Sequence, residues 1–191
     1  MIKIGVIHGR FQPLHLGHME YLLAGMKRVN YMYIGITNPD PTHTKEDKTA
    51  LHRSSPSSNP LTYFERYNIL QKALFDSGYS SSDFCIVPFP INIPELLHYY
   101  TPKEATYFIT IYDEWGEKKL YLLKSLNLKV EILWRRELIS KPYSGHEIRC
   151  KILNDELWNH LVPISTFEYI KNHHIDIRIK ELMKTEFIDI R

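Results

Sequence analysis

Five short apolar runs alternate with stretches of helical spacing along this chain, and that alternation restricts its fold more than any other feature. "IKIGVI" (2–7), "YMYIGIT" (31–37), "FCIVPF" (84–89), "ATYFITIY" (105–112) and "LKVEILW" (128–134) read as strands. Helical spacing follows in "HMEYLLAGMKRV" from His18, in "LTYFERYNILQKALFDSG" with Gly78 as its stop, and in "DEWGEKKLYLLKSLN" with acidic residues at its start. From Gly145 the chain reads as two or three helices broken at Pro163. Strands alternating with helices are joined by crossovers and must run parallel, which predicts an α/β fold with helices on both faces of one sheet. With 191 residues and no internal repeat, a single domain is expected.

Parallel sheets bind ligands beyond the carboxyl ends of their strands, at the point where the winding reverses. The first such end carries "IHGRFQPLHLGH" (7–18), with three histidines, two glycines, an arginine and a proline behind a core strand. Gly9 and Gly17 let backbone approach a ligand, Pro13 stiffens the turn, and a helix beginning near His18 directs its free amides and positive dipole end into the crevice. His15 and His18, three apart, project together and can donate to phosphate oxygens, with Arg10 adding charge. A metal site is a poorer reading because no third ligand type is near, and His8 is assigned no role. The G-x-G-x-x-G of dinucleotide folds and the G-K-[ST] of P-loops are absent.

Bulk properties add exclusions. With 24 basic and 22 acidic side chains, net charge gives no nucleic-acid surface, so anion binding must be local. Cys85 and Cys150 form no C-x-x-C pair, and the apolar start is too short for a signal-peptide core or a membrane span, so free thiols and a cytoplasmic location are expected. The stretch 38–60, "NPDPTHTKEDKTALHRSSPSSNP", is too long and polar for an ordinary connection and reads either as a lid carrying Lys45, Lys48 and Arg53 or as a disordered insert.

"GRFQPLHLGH" resembles the HxGH signature of the nucleotidylyltransferase superfamily, and "GRFQP" resembles nicotinamide mononucleotide adenylyltransferases of the archaeal type. A second resemblance lies at "YSGHEIRC", where Ser144, Gly145, Ile148 and Arg149 match a Ser-[Ser/Gly]-Thr-x-Ile-Arg element, while His146 stands in place of threonine. "LWNHLVP" is similar to a W-x-x-x-V-P ending through Trp158, Val162 and Pro163, and residues 59–70, which include Arg66, resemble an N-P-F-T-x-x-E-R segment.

The resemblance implies a Rossmann-like five-stranded parallel sheet with a C-terminal helical extension, divided into a core at 1–143 and a phosphate-binding helix with C-terminal helices at 144–191. It implies transfer of a nucleoside monophosphate from a triphosphate to a phosphate- or phosphonate-bearing small molecule, with release of pyrophosphate. His15, His18 and Arg149 are implied as the catalytic residues. Gly9, Arg10, Phe11, Gly17, Ser144, Gly145, His146 and Ile148 are implied in nucleotide and phosphate binding, and Mg2+ is implied as the cofactor, which would neutralise phosphate charge. No metal ligand is assigned to the protein itself.

The acceptor side departs from the adenylyltransferase pattern. "PFPINIPELLHYY" supplies Asn92 but has Leu96 and Leu97 where an aromatic is expected; Tyr112 and Trp115 are candidates for a stacking surface in its place or else pack in the core, and Arg66 is a further acceptor candidate. The nearest named activity is nicotinamide mononucleotide adenylyltransferase, and the alternative is a CTP-dependent cytidylyltransferase acting on a phosphonate or phosphorylated compound. His146 in place of threonine is also compatible with a non-catalytic nucleotide sensor. The apolar residues at 175, 177, 179, 182 and 183 either cap the domain or meet a second copy in a homo-oligomer; no nucleic-acid or membrane partner is expected.

Overall fold

Strands β1 (Ile2–Gly9), β2 (Val29–Ile36), β3 (Phe84–Pro88), β4 (Thr106–Ile111) and β5 (Lys129–Arg135) form one sheet in the order β3-β2-β1-β4-β5, and every pairing is parallel. The computed structural model describes residues 1–41, 55–140 and 143–189. β1 is central and buried on both faces from Gly5 to His8, which is why its sequence is a nearly continuous apolar run. The order reverses at β1, whose neighbours are β2 and β4, so the crevice expected from parallel winding opens beyond the ends of β1 and β4.

The helices are α1 (Leu16–Met26), α2 (Tyr63–Asp76), α3 (Glu114–Ser125), α4 (Gly145–Leu153), α5 (Ile164–Asn172) and α6 (Ile175–Asp189). Two apolar cores lie on opposite faces of the sheet. One joins Ile7, Met32 and Ile34 to Leu22 of α1 and Leu70 of α2, and continues into Ile148, Ile152, Ile170 and Ile179 of the C-terminal helices. The other joins Val6, Tyr107 and Ile109 to Leu123 of α3 and to Phe89, Ile91 and Leu97 of the segment after β3. Residues 144–189 therefore share the main core. Truncating a fully buried side chain such as Leu70 to alanine costs about 2–5 kcal/mol.

Local chemistry sets the helix ends. Thr62 Oγ1 accepts from the Glu65 amide (3.2 Å) and the Glu65 carboxylate accepts from the Thr62 amide (2.8 Å), a reciprocal cap that starts α2. Gly78, at φ +88°, follows the end of α2 as expected. α1 begins at Leu16, two residues before the expected start, because His15 supplies its own side-chain cap.

The expected lid falls largely outside the described residues, which exclude 42–54 and with them Lys45, Lys48 and Arg53. Its last part is a 3-10 turn, Pro56–Ser58, in which Ser57 and Ser58 are buried and Ser57 donates to the Glu186 carboxylate of α6. Among the described residues no helix is long and apolar enough to cross a membrane.

Candidate active site

The loop from β1 to α1 forms one wall. Phe11 lies in the left-handed region (φ 53°) and is buried, with its ring edge-on to His18 at 5.0 Å between centroids. His15 is the N-cap of α1, and its Nδ1 accepts from the His18 amide at 3.2 Å. An accepting Nδ1 places the ring proton on Nε2, so Nε2 is the atom through which His15 can donate. The two imidazoles stack with centroids 3.6 Å apart, His15 buried and His18 half-buried, in the first turn of α1 where amides and dipole favour an anion.

The N-terminus of α4 forms the facing wall. Ser144 caps it, its Oγ accepting from the Glu147 amide at 3.1 Å. A Cβ on Gly145 would lie 2.5 Å from the Gln12 carbonyl oxygen, and one on Gly17 would lie 3.8 Å from the Tyr143 ring. The "GRFQP" loop and the "SGHEIR" helix are therefore in contact, which brings two helix N-termini to one crevice. Only a residue without a side chain permits this approach at position 145.

Arg149 is buried and turned under this junction. Its Nη1 donates to the Gln12 carbonyl (2.7 Å) and its Nη2 to Ser58 Oγ (3.5 Å), while Nε has no partner among the described residues. Burial lowers its pKa to about 10, so the guanidinium stays charged at neutral pH. Phe11 and Ile148, both implied as nucleotide-binding, are core residues; they shape the site from beneath. His146 is exposed, with Nε2 3.5 Å from Cys150 Sγ one turn along α4.

Two braces were not foreseen from the sequence. The Gln12 side chain donates to the Leu61 carbonyl (2.8 Å) and accepts from the Leu61 amide (2.9 Å), fixing the loop to the start of α2. Arg66, expected at the acceptor, donates through Nη1 to the carbonyls of Arg10 (3.0 Å) and Thr37 (2.7 Å), through Nη2 to that of Asn38 (2.7 Å), and through Nε to that of Thr62 (3.2 Å). Burial lowers its pKa to about 10. Most of its N–H donors thus hold main chain, which makes it a strap between β1, β2 and α2. Gln12 sits inside the motif, but nothing in sequence spacing announces a partner 49 positions away.

The remaining acceptor candidates do not form one cluster. Asn92 donates to Asn38 Oδ1 (3.3 Å) beyond β2. Tyr112 accepts from Trp134 Nε1 (2.8 Å), and Trp134 packs edge-on to Tyr21 of α1 and under Arg136, which pairs with Glu20 at 2.9 Å. Tyr112 is thus drawn toward the α1 face, while the segment carrying Asn92 packs over the opposite face. Trp115 is half-buried in the first turn of α3.

A cytidylyltransferase-like family model matches residues 6–151, which include both walls of the site. The chain belongs to the cytidylyltransferase-like family. It is 49% identical to the phosphonoformate cytidylyltransferase of Streptomyces viridochromogenes, over 92% of this chain and 95% of that protein. It is 30% identical to the nicotinamide-nucleotide adenylyltransferase of Saccharolobus solfataricus, over 95% of this chain and 98% of that protein. A bifunctional NMN adenylyltransferase/ADP ribose pyrophosphatase from Francisella tularensis, solved with AMP and a manganese ion, shares the fold with a TM-score of 0.67 at 14% identity. The match covers 95% of this chain and 52% of that one, so this member of the family spans about half of the bifunctional protein. The enzyme is a nucleotidyltransferase, which settles the choice against a non-catalytic sensor.

Proposed function

We propose that this enzyme transfers the cytidylyl group of CTP to a phosphonate that carries a second anionic group, phosphonoformate being the model acceptor, and releases pyrophosphate. The observation that carries the reading is the 49% identity to a phosphonoformate cytidylyltransferase over nearly the whole chain, against 28–30% to the nicotinamide-nucleotide adenylyltransferases. The absence of the adenylyltransferase aromatic after β3, where Leu96 and Leu97 stand, supports it from the sequence side.

In this reading a phosphonate oxygen attacks the α phosphorus, the new P–O bond forms on one side, and the bond to the bridging oxygen breaks on the other, leaving pyrophosphate. The protein provides position and charge, because the reaction moves negative charge toward the leaving group. His15, through Nε2, and His18 donate to triphosphate oxygens. The free amides of α1 and α4, with Ser144, receive the β and γ phosphates, and Gly9, Gly17 and Gly145 keep that crevice open. Arg10 and Arg149 supply positive charge, Arg149 also holding the loop carbonyl of Gln12.

Mg2+ fits this site as a companion of the triphosphate. Among the described residues no three His, Cys, Asp or Glu are grouped to share a metal ion, and magnesium is commonly held by substrate phosphates and water with few protein ligands. When bound it neutralises phosphate charge. We place the reaction in the cytoplasm, where CTP is available.

The test is pyrophosphate release with CTP or ATP, each paired with phosphonoformate or nicotinamide mononucleotide. CTP with phosphonoformate is expected to give the highest kcat/KM; a preference for ATP with nicotinamide mononucleotide would overturn the assignment.

A further inference from the structure

His8 is the last residue of β1 before Gly9 and is 5% exposed. Neither of its ring nitrogens has a hydrogen-bond partner among the described residues. Its imidazole stacks on Phe89, with centroids 4.5 Å apart and planes 12° from parallel. Position 35, paired with His8 across the β1–β2 ladder, is a glycine, and the Phe89 ring occupies the space where a side chain there would begin. The fold thus brings Phe89 over the end of β1 and β2 to cover this one imidazole.

Packing does not explain a histidine here. A phenylalanine would fill the same slot and stack on Phe89 without two buried nitrogens, and buried polar atoms without partners are rare enough to demand a reason. Location supplies one. His8 shares its sheet face with Val6, between the segment after β3 and helix α3. Those two elements carry Asn92 and Trp115, and Lys119 stands one turn beyond Trp115 on the same side of α3.

We propose that His8 forms the floor of the acceptor subsite and donates a hydrogen bond to an anionic oxygen of the acceptor. The identity of that acceptor rests on the cytidylyl-transfer reading; the role of His8 does not. Burial, and secondarily the positive charge of Lys119, hold its pKa at about 3, so the ring is neutral at physiological pH and keeps one N–H to donate. A small acceptor with anionic groups at both ends suits a site that combines this neutral donor with the Lys119 charge. The core on this face is built from Val6, Phe89, Tyr107 and Ile109, so a hydrogen-bonding His8 would be a specificity determinant as well as a contact.

Wild type, His8→Phe, His8→Asn and His8→Gln are compared by pyrophosphate release and thermal shift, with CTP and ATP as nucleotides and phosphonoformate and nicotinamide mononucleotide as acceptors. His8→Phe is expected to fold with a Tm at or above that of wild type and to raise the acceptor KM at least about 10-fold, with the nucleotide KM within about twofold. Either Asn, which mimics Nδ1, or Gln, which mimics Nε2, should recover part of the loss. An unchanged acceptor KM in His8→Phe, an equal rise in both KM values, or failure of His8→Phe to fold would each overturn the role. Wild-type preference for ATP with nicotinamide mononucleotide would overturn the proposed function alone, with His8 then read against that acceptor. If neither acceptor is turned over by wild type or shifts its Tm, both fall.

Discussion

Arg149 donates through Nη1 to the main-chain carbonyl of Gln12, 2.7 Å away and 137 positions earlier in the chain. One side chain of the "SGHEIR" helix thereby holds the "GRFQP" loop in place, so under the proposed function the charge offered to phosphate and the loop geometry depend on the same group. Arg149→Lys keeps the charge but cannot reach both Gln12 and Ser58 with a planar fork. It should lower kcat/KM about 100-fold and stability by about 1–3 kcal/mol, the range for leaving a buried acceptor unsatisfied. Steady-state kinetics and urea unfolding would check both, and full activity in the lysine variant would remove the arginine from the site.

The half-buried His18 can be truncated with little damage to the fold. His18→Ala should reduce turnover by about 100-fold or more, by analogy with loss of one donor to developing negative charge, while the thermal midpoint changes little. His15→Ala should lose activity and also about 1 kcal/mol of stability, since His15 caps α1. Equal Tm losses in the two variants would contradict this division.

Gly145→Ala places a methyl 2.5 Å from the Gln12 carbonyl oxygen. Alanine normally favours a helix over glycine by about 1 kcal/mol, so simple propensity predicts stabilisation. Contact with main chain reverses the sign here: the variant should be less stable and bind CTP more weakly. Thermal melts with and without nucleotide would show it, and a raised Tm with normal CTP binding would refute the contact.

Acid should weaken the fold through His8. Its pKa is about 3 when folded and 6.5 when exposed, so between those values the unfolded chain binds the extra proton. The stability associated with neutral His8 is complete above pH 6.5 and is lost as pH falls toward 3, by on the order of 4 kcal/mol. The stability difference between His8→Phe and wild type should therefore grow as pH drops through this window. Unfolding curves at a series of pH values give the comparison, and parallel curves would mean His8 titrates normally.

Gln12→Ala removes both hydrogen bonds to Leu61 and leaves a buried amide and carbonyl unpaired. A loss of about 2 kcal/mol or more is expected by urea unfolding. A loss under about 0.5 kcal/mol would show that water replaces the side chain.

Periodicity revealed the five strands and their parallel direction: β1 and β4, buried on both faces, are apolar almost throughout, and each strand is separated from the next by a stretch long enough for a crossover. It placed the start of α1 late, because nothing in an apolar pattern shows that His15 would cap the helix with its own ring nitrogen. Motif spacing identified the two walls, since Gly145 and Arg149 are the kinds of residue that close approach and phosphate charge require. It did not show that Arg66 would face main chain or that Tyr112 would turn to Trp134; those outcomes depend on which distant carbonyl or indole the fold delivers. His8 carries no signal in the sequence for a related reason: what sets it apart is that neither ring nitrogen finds a partner among the described residues, which no sequence displays.

The Arg66 strap has a consequence for how this protein can vary. All four groups it binds are main-chain carbonyls, those of Arg10, Thr37, Asn38 and Thr62. Any residue at those positions offers the same oxygen, so the strap itself does not depend on the side chains at its four attachment points and concentrates its vulnerability in a single guanidinium. The loop after β1 can therefore exchange side chains without loosening this strap.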